Sequence, residues 1–164
     1  MSTQNPDVIK FTVLGRPMAQ PRHRDYTLPN GARVQVDPAK KDKQNFLAVA
    51  QSHAPDTPYD VPLAMDLILY FPRPKSHFRS GARSDELKPS APDLYAAKGR
   101  NDVDNCLKFV LDALNGVYYV DDGLIVHALV VKLYGRPRTV VRIEPAVDTF
   151  LSDRFGWLEA PSND

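Results

Sequence analysis

The chain has 164 residues, 43% hydrophobic and 25% charged, the make-up of one globular domain long enough to bury about 70% of its unfolded surface. One cysteine, Cys106, excludes a disulfide within the chain, and no apolar run approaches the roughly 18 residues of a membrane span. The net charge is only +1, yet residues 10–43 hold eight basic against three acidic side chains and residues 102–164 hold six against ten. A basic front and an acidic rear suit a protein that grips phosphates with one and holds metal ions with the other.

The opening MSTQNPDVIKFTVLG lacks the basic start and apolar core of a secretory signal, so a cytoplasmic protein is expected. Residues 8–14 (VIKFTVL) are β-branched and aromatic and end at Gly15, which predicts a first strand. Pro17, Pro21 and Pro29 break the stretch from Arg16 to Asn30 into a loop. Beyond Asn30-Gly31, Arg33 to Val36 reads as a short strand. From Pro38, AKKDKQNFLAVAQSH reads as a helix closed by Pro55, with lysines at the end where the helix dipole disfavours them. Leu63 to Phe71 is the most strand-like run, ended by Pro72 and Pro74. A Ser-, Pro- and charge-rich loop covers about residues 76–99, a length expected of a mobile or functional segment.

A helix is predicted from Asp102 to Asn115, stopped by Gly116. Its apolar stripe of Val103, Leu107, Val110 and Leu114, with Cys106 and Ala113 beside it, is the expected buried face. Leu124 to Tyr134 and Thr139 to Ile143 follow as strands, and Gly135-Arg136-Pro137 between them suggests a hairpin. In the tail (about 146–164), Val147, Phe150, Leu151, Phe155 and Leu158 recur at helical spacing. The sum is one domain over residues 1–164, α/β or α+β, with a small mixed sheet packed by helices.

The chemistry concentrates between Asn101 and Val126. Asp104, Lys108 and Asp112 share a helix face away from the apolar stripe, and Asp102 precedes the first turn, where the backbone is free to aim it beside Asp104. The positive end of the helix favours ionised carboxylates, which a hard cation such as magnesium takes as ligands. Asp121-Asp122 adds a further carboxylate at a strand start; spacing alone does not say which of the two turns inward. Each feature has a plainer account. Asp-x-Asp at a helix start is often a cap, Lys108 between Asp104 and Asp112 an ion-pair ladder, and Asp-Asp-Gly a turn.

Together, Asp102-Val103-Asp104-Asn105-Cys106-Leu107-Lys108, Asp112-Ala113-Leu114-Asn115-Gly116 and Tyr118-Tyr119-Val120-Asp121-Asp122 resemble the RusA family of Holliday junction resolvases. The resemblance is dense from Lys98 to Val131, looser over Phe11 to Arg24 and absent after Pro145. It implies a magnesium-dependent homodimeric endonuclease, with manganese a plausible substitute, that nicks opposed strands of a four-way DNA junction in recombination and repair. It places the catalytic and metal-binding acids on Asp102, Asp104 and Asp122, a helper on Asp121, and the essential lysine on Lys108. Cys106 stands where the family often carries an aliphatic residue and reads as a core thiol.

Candidates for holding DNA are Arg16, Arg22, Arg24, Lys40, Lys41 and Lys43, then Lys75, Arg79, Lys98 and Arg100 around the long loop. His77 and Phe78 read as loop aromatics capping the core, with stacking at a branch point as the alternative. Two rival functions remain on sequence grounds: a junction-binding protein that does not cut, and a metal-dependent glycosyltransferase using Asp-x-Asp. The short chain lacks the repeated strand–helix units of the latter.

Overall fold

The computed structural model describes residues 8–21 and 24–146. The strands are β1 (Ile9–Leu14), β2 (Arg24–Thr27), β3 (Arg33–Val36), β4 (Leu63–Phe71), β5 (Ile125–Tyr134) and β6 (Arg138–Pro145). The helices are α1 (Lys40–Ala50) and α2 (Val103–Leu114). Strands β1, β6, β4 and β5 lie side by side in that order, with β4–β5 parallel and the other pairs antiparallel. The fold is α+β with a mixed sheet, as expected.

Strand β4 runs through the middle, paired along both edges, and all of its residues are buried or half-buried. Leu63, Met65 and Leu67 face α1 and α2, meeting Phe46, Ala50, Phe109, Val110, Ala113 and Leu114 in one core. Leu69 and Phe71 continue this face into a smaller cluster with Cys106. Alternate residues point the other way, where Asp66 lies 3.3 Å from Arg142 and the Arg138 guanidinium sits 3.5 Å above the Tyr70 ring centre.

Three expectations are corrected. Strands β5 and β6 do not form a hairpin, because β4 is inserted between them. The connection crosses the end of β4, with Gly135 N–H donating to Phe71 O at 2.8 Å. Two strand spacings are roughly 10 Å, which a three-residue link spans only when extended. Second, the stretch Arg16 to Asn30 is not all loop. Its end forms β2, paired with β3 in a ribbon apart from the main sheet, Arg24 opposite Val36 and Thr27 opposite Arg33. Its partner β3 is the short strand predicted at Arg33 to Val36, and all of it is exposed. Third, the buried face of α2 holds Val110, Leu114, Cys106 and Ala113 as predicted, but it takes in Phe109 and leaves out Val103. Cys106, Phe109, Val110, Ala113 and Leu114 are buried, whereas Val103 is 45% exposed.

The 76–99 segment folds on itself and onto the sheet. Arg79 N–H donates to Glu86 O and Lys88 N–H to His77 O, closing a small finger. Farther on, Tyr95 N–H donates to Lys132 O and Tyr134 N–H to Asp93 O, which covers the outer edge of β5. His77 packs edge-on against Tyr134, the capping role expected of it. The amphipathic tail Val147–Leu158 lies outside the described residues.

Candidate active site

Helix α2 sets the geometry. Its core face anchors it to β4, and Asp102 is its N-cap, with extended backbone angles of −60° and 147°. The Asp102 side chain makes no capping hydrogen bond. Its carboxylate and that of Asp104 are both exposed, and the plain capping account of the pair therefore does not apply. Nor is there an ion-pair ladder. Among the described residues Lys108 has no acidic partner, and Asp112 pairs instead with Lys43 at 2.7 Å.

Asp121 and Asp122 stand in a segment held by buried tyrosines. The hydroxyl of Tyr118 donates to Ala50 O at 2.6 Å and that of Tyr119 to Leu111 O at 2.9 Å. Gly116, at φ 77°, reverses the chain after α2, and its N–H reaches Tyr119 O. Tyr59 N–H donates to Tyr118 O and Val120 N–H to Tyr59 O, fixing the segment from the far side. At its end Asp121 spends a carboxylate oxygen on Gly123 N–H at 2.7 Å, opening the short 3-10 turn Asp122–Leu124. Asp122 is half-buried, with no hydrogen bond to its side chain among the described residues. Of the two, Asp121 thus has one carboxylate oxygen engaged in its own turn.

The three carboxylates are near one helix without forming a closed cluster. Among the described residues, no three His, Cys, Asp or Glu side chains are grouped closely enough to hold a metal ion as they stand. Burial pushes the Cys106 thiol up to about 11; nearby Lys132 opposes the shift, and the charges of Asp102 and Asp104 add to it. Burial likewise raises the Tyr119 hydroxyl, with Asp122 and Asp112 adding to the shift. Asp102 and Asp104 therefore act at one end of α2 around Cys106, and Asp122 acts beside Tyr119. Cys106 is fully buried and, among the described residues, has no activating base, so it is a core thiol and not a nucleophile.

Residues that the sequence did not single out hold the head of α2. Gln20, buried in the Pro/Arg-rich loop, donates its N–H to Asn105 O at 2.8 Å, docking that loop on the first turn of α2. Its Nε2 donates to Asp37 Oδ1 at 3.1 Å. Asp37 also receives Lys43 at 2.8 Å, and Lys43 spans on to Asp112. Lys43, expected to bind DNA, is instead a 13% exposed tie between α1 and α2. The bond from Lys43, against the cost of burial and helped by Ala39 N–H and Gln20, holds the Asp37 carboxyl down at about 2.

The cations Arg16, Lys40, Lys41, Lys75, Lys98 and Arg100 are exposed and Arg79 half-exposed. Arg22 and the side chain of Arg24 lie outside the described residues. The finger adds Arg83 and Lys88, which with Arg79, Ser80 and Pro89 line an open hollow of about 360 Å³. Glu86, 2.5 Å from Arg83 and 3.5 Å from Arg79, offsets part of this charge.

Residues 15–144 match the family model for the endodeoxyribonuclease RusA. The chain is also 40% identical over 140 residues to Uncharacterized protein YqaN of Bacillus subtilis (strain 168), covering 84% of this chain and 96% of that one. The match takes in the docked Arg-bearing loop, the finger, α2 and the Asp121-Asp122 turn. The chain belongs to the RusA endodeoxyribonuclease family, the family of Holliday junction resolvases.

Proposed function

We propose that this protein is a magnesium-dependent endonuclease that resolves four-way DNA junctions, working as a symmetric dimer. The observation that carries the reading is the head of α2. Among the described residues, two exposed carboxylates, Asp102 and Asp104, are spent on neither a cap nor an ion pair, and Lys108 stands one turn on without an acidic partner.

The donor set suits a hard cation: Asp102, Asp104 and Asp122 offer carboxylate oxygens only, and Asp102 and Asp104 are exposed and free to change rotamer. Bound there, magnesium would supply a water of lowered pKa and neutralise charge on the phosphate. Lys108 would place its ammonium on the scissile phosphate and stabilise the charge that develops there. The Gln20 dock holds the Arg16-bearing loop beside that spot, and the finger offers Lys75, Arg79, Arg83 and Lys88 to backbone phosphates farther along. Resolution needs two opposed cuts, and a two-fold dimer supplies two sites in matching symmetry.

The test is a labelled four-way junction incubated with the protein across a series of magnesium and manganese concentrations, beside linear duplex and flap DNA. Paired, symmetric nicks in the junction that require the metal are expected. Binding without nicking at any metal concentration would reduce the protein to a junction binder.

A further inference from the structure

Directly before Asp102 the chain takes an unusual path. Asn101 has φ 52°, and among the described residues it alone outside glycine is left-handed. Asn is a residue that tolerates this conformation, but such a conformation persists only where the surroundings fix it. Two side chains do so. Lys132 of β5 donates its ammonium to Asn101 O at 2.9 Å, and Asn101 Nδ2 donates to the Tyr95 hydroxyl at 2.8 Å.

Lys132 holds both ends of the intervening stretch, since its own carbonyl accepts Tyr95 N–H at 3.0 Å. Its ammonium lies 5.5 Å from the centre of the Tyr95 ring, which stacks on Phe71 at 4.0 Å between ring centres. The ring and the carbonyl together fix where the ammonium sits. Opposite, Asp102 O accepts Cys106 N–H at 3.0 Å, the first bond of α2. The left-handed residue is therefore clamped between the sheet and the helix, and it delivers Asp102 in extended conformation at the helix head.

We infer that Lys132 is a positioning residue of the active site, which acts through the Asn101 carbonyl to hold Asp102 in its working direction. The inference rests on the proposed nuclease function for its kinetic readout. A lysine in a strand between Val131 and Leu133 carries no sign of this role in the sequence. The clamp between β5 and the residue before Asp102 exists only in the fold.

The test is Lys132→Met, which keeps a long stem against Tyr95 and removes the charge. Turnover of bound junction should fall about 10- to 100-fold, as for other residues that orient metal ligands, while the junction Kd changes by less than about twofold. Lys132→Arg, which restores a cation, should recover most of the turnover. Asn101→Ala, disfavoured in the left-handed region, should reproduce the defect, and the double variant should be no worse than either single one. Hydrogen exchange at the Cys106 amide should quicken in Lys132→Met, with β1 and β6 unchanged. Wild-type turnover in Lys132→Met overturns the inference. So does a defect that Arg does not rescue and that tracks a general loss of thermal stability. If the wild-type protein cuts no junction, the nuclease reading fails separately. The Cys106 exchange then decides: unchanged exchange in Lys132→Met overturns the clamp and faster exchange sustains it.

Discussion

Asp102 and Asp104 are exposed carboxylates at the positive end of α2, a place where ionised acids are stable without further partners. What sets them apart from ordinary caps is that the N-cap side chain makes no bond to the helix. On the proposed function, replacing either by Asn removes a cation ligand and one negative charge near the phosphate. Asp102→Asn or Asp104→Asn should lower junction cleavage by more than about 100-fold while binding is kept or strengthened, measured by nicking and anisotropy on one junction. Wild-type cutting by either variant would remove that residue from the site. Lys108→Ala should lower turnover more than affinity, since its charge acts where charge develops. Burial keeps the Cys106 thiol raised to about 11. Folded protein should therefore resist alkylation at pH 8, react once denatured, and cut normally as Cys106→Ala. Rapid labelling of the native thiol would contradict its place in the core.

The elements that carry the site are locked together by one partly buried ionic chain running from Gln20 through Asp37 and Lys43 to Asp112. Asp37 has a folded pKa of about 2, below its ordinary value of 3.8. Its contribution to stability is therefore full above about pH 4 and is lost as pH falls through about 2. Burial opposes the Lys43 charge, but Asp112 and Asp37 outweigh it and raise the ammonium pKa, so that contribution is present below the ordinary lysine value and is lost as pH rises past it. Lys43→Met should cost about 1–2 kcal/mol at neutral pH, because two acids are left facing each other. The gap from wild type should close between pH 4 and 2 in thermal melts. A gap that persists unchanged at pH 2 would mean that the lysine acts by packing alone. Sequence spacing made Lys43 a surface cation because its partners Asp37 and Asp112 come from 6 and 69 residues away. Local pattern sees only the i+4 neighbour. Strand β4 and the ends of α1 and α2 were legible because period and punctuation are local properties. Strand β3 was legible at Arg33–Val36, but the insertion of β4 between β5 and β6 and the exposure of Val103 on α2 were not, because each is decided by what packs from elsewhere in the chain.

At the scale of the molecule, exposed Arg16 lies on the docked N-terminal loop, Lys40 and Lys41 on α1, and Lys75, Arg79, Arg83 and Lys88 on or beside the finger, while Asp102 and Asp104 stand at the head of α2 and Asp122 on the turn that follows it. Motif density alone located the acids; the route by which the basic loop reaches them, through Gln20 and Asn105, required the fold. On the proposed function this basic surface takes phosphates and releases counterions on binding, so junction affinity should fall steeply with salt. Removing Arg79, Arg83 and Lys88 together should flatten that dependence by up to about three phosphate contacts, read as the slope of log affinity against log salt. An unchanged slope would take the finger off the DNA. The proposed nuclease chemistry requires Asp102, Asp104 and Asp122 to share a divalent cation, although their side chains do not form a ready-made cluster. The direct measurement is calorimetric titration of manganese into the wild-type protein and into Asp102→Asn, Asp104→Asn and Asp122→Asn. Saturable binding that weakens at least about tenfold in each variant is the predicted result. Absence of binding to the wild type, or wild-type affinity in any of the three variants, would contradict it.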